Sequence, residues 1–152
     1  MSKRENYASW DTTFMKMALV ISDRSKDPST QVGAIIVSKD HRILSAGYNG
    51  TPKGINDDDF PWTRGNGSAD DIESKYPFVI HAERNAVLNF RGVGTQLEGS
   101  TIYVTHFPCG ECAKEIVQAG IREVVYLHDH NFEQASQTLF NAAGVTYRMG
   151  DI

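Results

Sequence analysis

The sequence predicts an α/β fold, a three-layer α/β/α sandwich built on a five-stranded mixed sheet. The first observation is the order of segments, α-β-β-loop-α-β-α-β-α-β, in which helices alternate with short apolar strands that need cover on both faces. The second is the length, because 152 residues bury one sizeable core and are too few for two. We therefore expect residues 1–152 to form a single domain.

The amino-terminal part predicts one amphipathic helix followed by a hairpin. The helix begins near Ser9 or Asp11 and ends before Pro28. Its apolar residues recur at i, i+3, i+4 and i+7: Phe14, Met17, Ala18 and Ile21. Residues 32–38 and 43–48 are rich in strand formers and are separated by four polar residues, which is typical of a hairpin.

The remaining elements follow a long polar segment. Residues 49–75 are dense in Gly, Pro, Asn and Asp and show neither period, so we expect a long functional loop or lid. Beyond it, residues 81–90, 109–118 and 133–143 predict helices. Residues 101–105, 123–127 and 145–148 predict the last three strands.

Composition excludes several classes of protein. With 40% apolar and 22% charged residues, the chain is neither disordered nor fibrous. Its 15 basic and 19 acidic residues are interspersed and give a net charge of −4, so long nucleic acid is not an expected partner. Its apolar runs fall far short of the roughly 20 residues that cross a bilayer, and its amino terminus lacks the apolar segment of a secretory signal. We expect no membrane association and a cytoplasmic location.

Two short motifs carry the chemistry: His-Ala-Glu at 81–83 and Pro-Cys-Gly-Glu-Cys at 108–112. Each is weak alone, because a CxxC pair also suits a thioredoxin-like dithiol or half of a structural zinc site, and a histidine at a helix start is often a cap. Both motifs fall at the start of a predicted helix. Such helix starts can converge in an α/β sandwich, which makes the combination stronger than either part.

Cys109 and Cys112 lie on one helical face, at a helix amino terminus that favours the thiolate. With His81 they form a three-ligand set, and three protein ligands leave the open position typical of a catalytic zinc that acidifies water. Glu83 turns away from His81 on a regular helix, so we expect it to handle protons and not to bind metal. The alternative is a structural zinc, with Glu83 as a surface acid.

The chain resembles the deoxycytidylate deaminase family, whose zinc signature H-x-E…P-C-x-x-C it carries. The resemblance extends over residues 24–34, 47–54, 76–77, 81–86, 113–114, 118–121 and 139–146. It implies a cytidine-deaminase-type fold and hydrolysis of dCMP to dUMP and ammonia, which supplies thymidylate synthesis. It also implies zinc on His81, Cys109 and Cys112, with Glu83 as proton shuttle.

The same resemblance implies a homo-oligomer, often a hexamer, that dCTP activates and dTTP inhibits with Mg²⁺. Some relatives hold a second, structural zinc with additional cysteines and histidines. This chain has Lys26 and Asp27 where a cysteine pair could stand, and no cysteine in the long loop. We therefore predict one zinc ion per chain.

The predicted substrate contacts are Asn49, Ala82, Pro108 and His130. Asn49 follows the second strand, where the superfamily uses an asparagine for the 3′-hydroxyl, although Asn also suits a left-handed turn. His128 and His130 follow a strand at its carboxyl end, where open α/β sheets place ligands, but both could be exposed bystanders.

The predicted effector contacts are Arg24, Lys26, Gly50 and Lys53. Glycine amides and a lysine at the start of the long loop suit a polyphosphate, and the resemblance implies a triphosphate effector there, away from zinc. Arg24 and Lys26 follow the first helix, where cations are also ordinary partners of the helix dipole. The alternative for the whole segment is a plain solvated loop.

Two rival functions stay open from the sequence. One keeps the chemistry and changes the substrate to cytidine, guanine or a tRNA adenosine. The other is a non-catalytic module that is stabilised by zinc, or that forms a reversible disulfide between Cys109 and Cys112.

Overall fold

The computed structural model describes residues 1–129 and 133–152, and its elements follow the predicted order. The helices are α1 (Trp10–Ser22), α2 (Ala82–Asn89), α3 (Gly110–Gln118) and α4 (Gln134–Ala143). The strands are β1 (Gly33–Val37), β2 (Ile43–Tyr48), β3 (Thr101–His106), β4 (Glu123–His128) and β5 (Thr146–Met149). Two short 3₁₀ turns, Asp57–Asp59 and Gly94–Leu97, were not predicted. None of the helices described has the length and apolar character needed to cross a bilayer.

The five strands form one mixed sheet in the order β2-β1-β3-β4-β5. The predicted hairpin is confirmed, because β1 pairs antiparallel with β2. β1 also pairs antiparallel with β3, whereas β3 with β4 and β4 with β5 are parallel. The parallel strands place the connections that follow β3 and β4 at the same edge of the sheet.

Helices cover both faces of the sheet, which confirms the three-layer prediction. Alternate residues of β1 point to opposite faces, and all five are buried. On one face α1 packs against the sheet through a buried cluster: Phe14, Met15, Ala18, Ile35, Val37, Tyr103 and Val125. On the other face the sheet packs against α2, α3 and α4 through Ala34, Ile36, Ala86, Ile116 and Phe140, among others.

The start of α2 is fixed by close contact with β2. A Cβ atom at Gly47 would lie 2.5 Å from the Ala82 carbonyl oxygen, so only glycine permits this approach. The Ser45 hydroxyl donates to the Ala86 carbonyl at 2.6 Å, and the Asn85 amide donates to the Tyr48 carbonyl at 2.7 Å. These contacts set the position of the residues at the head of α2.

Candidate active site

The amino termini of α2 and α3 bring the three predicted metal ligands together. His81 and Cys109 are the N-cap residues of the two helices, and neither side chain caps its own helix. The Sγ atoms of Cys109 and Cys112 lie 3.4 Å and 3.3 Å from Nδ1 of His81. In the part of the chain that the structure describes, these residues form the one group of three potential metal ligands whose atoms meet, all within 4.8 Å.

This donor set fits zinc. One imidazole nitrogen and two thiol sulfurs are the ligands that zinc prefers, and three protein ligands are typical of a catalytic site. Hydrogen bonds with Cys112 and with His81 lower the pKa of the Cys109 thiol to about 4. The hydrogen bond with Cys109 raises the pKa of His81 to about 9. The pKa of the Cys112 thiol is raised, first because this thiol donates the hydrogen bond to Cys109 and second because it is buried. The three groups therefore share protons that a metal ion would displace.

Glu83 is the second residue of α2, within its first turn, and is 5% exposed. The group of potential metal ligands consists of His81, Cys109 and Cys112 and does not include Glu83. Burial raises the pKa of its carboxyl group, because the charged form loses solvation. Such a carboxyl group holds a proton at a higher pH than an exposed glutamate, which suits proton transfer.

A cavity of about 230 Å³ opens on these residues. Its wall includes five residues that the sequence predicted for the site: Asn49, His81, Ala82, Glu83 and Cys109. Cys109 lines the cavity, while Cys112 is buried beside it. Pro108 does not line the cavity, although its neighbour Phe107 does. Pro108 is buried, and its carbonyl accepts a hydrogen bond from the Ser136 hydroxyl at 2.8 Å. The structure thus places Pro108 behind the wall.

The side chain of Asn49 binds the backbone of the residues that precede β1. Its side-chain oxygen accepts from the Val32 amide at 2.8 Å, and its side-chain nitrogen donates to the Thr30 carbonyl at 2.9 Å. The alternative of a left-handed turn is wrong, because His41 is the one non-glycine residue with positive φ among those described. The Asn49 side chain therefore lies on the cavity wall in a fixed orientation.

The two predicted histidines of the β4 edge have different outcomes. His130 lies outside the described residues. His128, at the end of β4, lies beside His106, with 5.0 Å between ring centroids, and His106 reaches the cavity wall. The Nδ1 atom of His106 is 2.8 Å from the Thr105 hydroxyl, a contact that orients the ring.

The four predicted effector residues lie away from the cavity wall. Lys26 forms an ion pair with Asp57 and lies near the start of the long loop, since the Ser25 hydroxyl donates to the Asn49 carbonyl at 2.9 Å. The amide of Gly50 is not available to a phosphate, because it donates to the Ile80 carbonyl at 3.1 Å. Arg24 and Lys53 are exposed.

Sequence reasoning missed the charged residues that complete the wall. Lys75 pairs with Asp27 at 2.6 Å, with side chains 9% and 2% exposed. Arg64 comes from the long loop, and Glu133, at the start of α4, accepts from the Gly110 amide at 2.9 Å. The loop composition offered no period that would place these residues. The one sequence feature that could have indicated a charged residue at the site is Lys75, at the end of the polar segment.

Residues 8–128 match the family model described as the cytidine and deoxycytidylate deaminase zinc-binding region. The chain belongs to this family. It is a zinc-dependent deaminase by that membership, and the group of three potential metal ligands at the heads of α2 and α3 lies within the matched residues.

Curated and solved relatives agree with this membership. The human deoxycytidylate deaminase is 46% identical over 150 residues, which is 96% of this chain and 82% of the relative. The probable deoxycytidylate deaminase of Drosophila melanogaster is 46% identical over 153 residues, covering 96% of this chain and 74% of the relative. The dCMP deaminase of cyanophage S-TIM5 in apo form is 31% identical with a TM-score of 0.71, covering 91% of this chain and 95% of that one. A second structure of the phage enzyme is a complex with dCMP and dUMP, at 30% identity, TM-score 0.68 and coverage of 91% and 94%.

Proposed function

We propose that residues 1–152 act as one deaminase domain that hydrolyses dCMP to dUMP and ammonia. The observation that carries the proposal is the meeting of His81, Cys109 and Cys112 with the buried carboxyl group of Glu83 on one cavity. The deoxycytidylate deaminases named above, and the phage enzyme that binds dCMP and dUMP, support this substrate.

His81, Cys109 and Cys112 would hold the zinc ion, whose Lewis acidity would lower the pKa of water at the cavity. The oxygen of the attacking water adds to C4 of the cytosine ring while Glu83 takes a proton from that water. Glu83 then gives the proton to N3 of the ring. In the second half of the reaction Glu83 carries the remaining hydroxyl proton to the exocyclic amine. The C4–N bond then breaks, and ammonia leaves.

Burial of Glu83 supports both halves of this role. A carboxyl group with a raised pKa gives up its proton less readily to bulk water, and at 5% exposure it keeps the proton within the cavity. Asn49 supplies a hydrogen-bond donor for the sugar, because the Thr30 carbonyl engages one of the two protons on its side-chain nitrogen. Ala82 lies between His81 and Glu83 in the sequence and also lines the cavity.

Regulation belongs to the same proposal and rests on the family resemblance. We expect dTTP with Mg²⁺ to inhibit and dCTP to activate, in a homo-oligomer, often a hexamer in this family, with one zinc per chain. Lys53 belongs to the start of the long loop, Arg24 and Lys26 flank Ser25 in the sequence, and the hydrogen bond from Ser25 to Asn49 joins that region to the cavity wall. The product dUMP would supply thymidylate synthesis, and free thiols that serve as zinc ligands suit the cytoplasm.

The test is a substrate panel. The zinc-loaded protein is incubated with dCMP, deoxycytidine, cytidine, guanine and a tRNA bearing the target adenosine, and ammonia release is measured. We expect release from dCMP and little or none from the others. Release from another substrate with none from dCMP would overturn the substrate assignment. Inertness on all of them would favour the zinc-stabilised or redox module.

A further inference from the structure

We propose that Arg64 binds the 5′-phosphate of the nucleotide and makes the enzyme prefer a nucleotide to a nucleoside. This inference rests on the proposed function, because it deepens the substrate assignment of the same cavity. Three observations carry it: the charge balance of the wall, the construction of the loop segment that bears Arg64, and the anchorage of that segment to the body of the protein.

The charge balance of the wall leaves one cation without a partner. Lys75 is neutralised by Asp27 at 2.6 Å, and this pair is almost completely buried. His81 belongs to the metal group. Within residues 1–129 and 133–152, Arg64 lines the cavity, and its guanidinium makes neither an ion pair nor a hydrogen bond. A guanidinium binds phosphate oxygens through two parallel N–H groups, and it stays charged at every pH of interest.

The loop segment that bears Arg64 is organised around one carboxylate. The two oxygens of Asp71 accept from the Asn66 amide at 2.9 Å and the Glu73 amide at 3.0 Å. Across the segment, the Thr63 hydroxyl donates to the Glu73 carbonyl at 3.2 Å. The segment 63–75 is therefore closed on itself by hydrogen bonds on both sides of Arg64.

Gly65 makes this closure possible. Its φ is +52°, and a Cβ atom there would lie 2.1 Å from Oδ2 of Asp71. A side chain at this position would force the segment open, because both the backbone conformation and the contact exclude it. The residue that follows Arg64 therefore fixes the direction in which the arginine leaves the loop.

Lys75 anchors the closed segment to the body of the protein. Its amide donates to the Thr63 carbonyl at 2.9 Å, while its ammonium group pairs with Asp27. Asp27 is itself fixed, since its second carboxylate oxygen accepts from the Ser29 amide at 2.8 Å. Arg64 thus reaches the cavity from a preorganised support, which reduces the entropy lost when a phosphate binds.

The experiment compares two substrates that differ by the phosphate. kcat/KM is measured for dCMP and for deoxycytidine with wild type, Arg64→Met and Arg64→Lys. Arg91→Met is the matched control, because Arg91 does not line the cavity. We expect Arg64→Met to lower kcat/KM for dCMP about 10- to 100-fold, the range for a hydrogen-bonded charge, mainly through KM. The value for deoxycytidine should stay unchanged, and Arg64→Lys should fall in between.

The outcomes separate this inference from the proposed function. A wild type that turns over dCMP, together with an Arg64→Met variant that keeps the full preference for dCMP over deoxycytidine, overturns the role of Arg64 alone. An equal loss on both substrates also overturns it, because a damaged fold or a misplaced loop would act on both. A wild type inactive on dCMP overturns the proposed function instead.

Discussion

At the amino ends of β3 and β4, charged side chains form a closed set, whereas at the carboxyl ends they do not. In the first region Arg148 binds Asp11 through two nitrogens, at 2.6 Å and 3.0 Å, and Glu123 at 3.3 Å. The Tyr103 hydroxyl donates to Asp11 at 2.6 Å. In the second region Glu83 and the thiol of Cys112 are buried beside His81, with no arginine or lysine paired to them among the residues described.

The difference shows how environment assigns a carboxyl group to structure or to chemistry. Arg148 holds the pKa of Asp11 below its usual value, so Asp11 stays ionised at neutral pH. Burial raises the pKa of Glu83, so that group can exchange a proton. Compensated charge at a partly exposed edge contributes a little stability. Buried ionisable groups without full charge compensation are typical of a functional site.

The largest expected effect follows from removing a metal ligand. Cys112→Ala should lose zinc and, with it, turnover, because two ligands hold the ion far less tightly than three. The check is metal analysis after dialysis against a weak chelator. Lys114→Ala on the same helix is the control, since its exposed side chain pairs with Glu111, and it should keep its zinc. Full zinc occupancy in Cys112→Ala would remove this residue from the ligand set.

The next effect concerns proton transfer with the metal retained. Glu83→Gln should keep zinc and lower kcat by about 10²- to 10⁴-fold, the range for a general acid–base group. Glu111→Gln is the matched control, because that carboxylate is exposed on the first turn of α3. The measurements are kcat and metal content on the same samples. A Glu83→Gln variant near the wild-type rate would show that another group carries the proton.

The buried ion pair gives a third prediction, on stability. Asp27→Asn leaves the Lys75 ammonium buried without its counter-charge, so the free energy of unfolding should fall by about 3 to 5 kcal/mol. Asp40→Asn is the control, because its pair with Arg42 is exposed and its loss should change the free energy of unfolding little. Urea unfolding of the two variants checks the difference. Equal small losses would mean that the Asp27–Lys75 pair does not anchor the loop.

The smallest effect belongs to the opposite edge of the sheet. Because the folded pKa of Asp11 lies below the ordinary value of 3.8, its pairing stabilises the fold above that pH and is lost as the pH falls through the folded pKa. Both partners are partly exposed, so screening limits the contribution to about 0.2 to 1 kcal/mol. Urea unfolding of wild type and Asp11→Asn should therefore differ at pH 6 and converge below pH 4. A difference that grows on acidification would contradict the sign.

Local spacing explains why much of the site could be predicted. Cys109 and Cys112 share a helix face, His81 and Glu83 share a helix start, and the alternation of strands and helices fixed the order in which those starts meet. Residue type and local spacing therefore predicted the group of potential metal ligands that the structure brings together.

The charged residues of the cavity wall could not be predicted, because they are brought together by contacts that leave no periodic pattern in the sequence. Lys75 and Asp27 are 48 residues apart in the sequence, and Lys75 lies at the end of a long polar segment whose sequence shows neither helix nor strand periodicity. The course of that loop also decides that Arg64 reaches the cavity and that the Gly50 amide is used by Ile80. A polar composition predicts that such a loop exists, but not which of its side chains turn inward.

The most direct test of the account follows oxygen. Zinc-loaded protein converts dCMP in water enriched in ¹⁸O, and dUMP and ammonia are quantified together, with Glu83→Gln in parallel. The account predicts one ¹⁸O atom at C4 of each dUMP, one ammonia per dUMP, and almost no product from the variant despite bound zinc. Absence of dUMP from the zinc-loaded wild type, or dUMP without label, would contradict hydrolysis at this site.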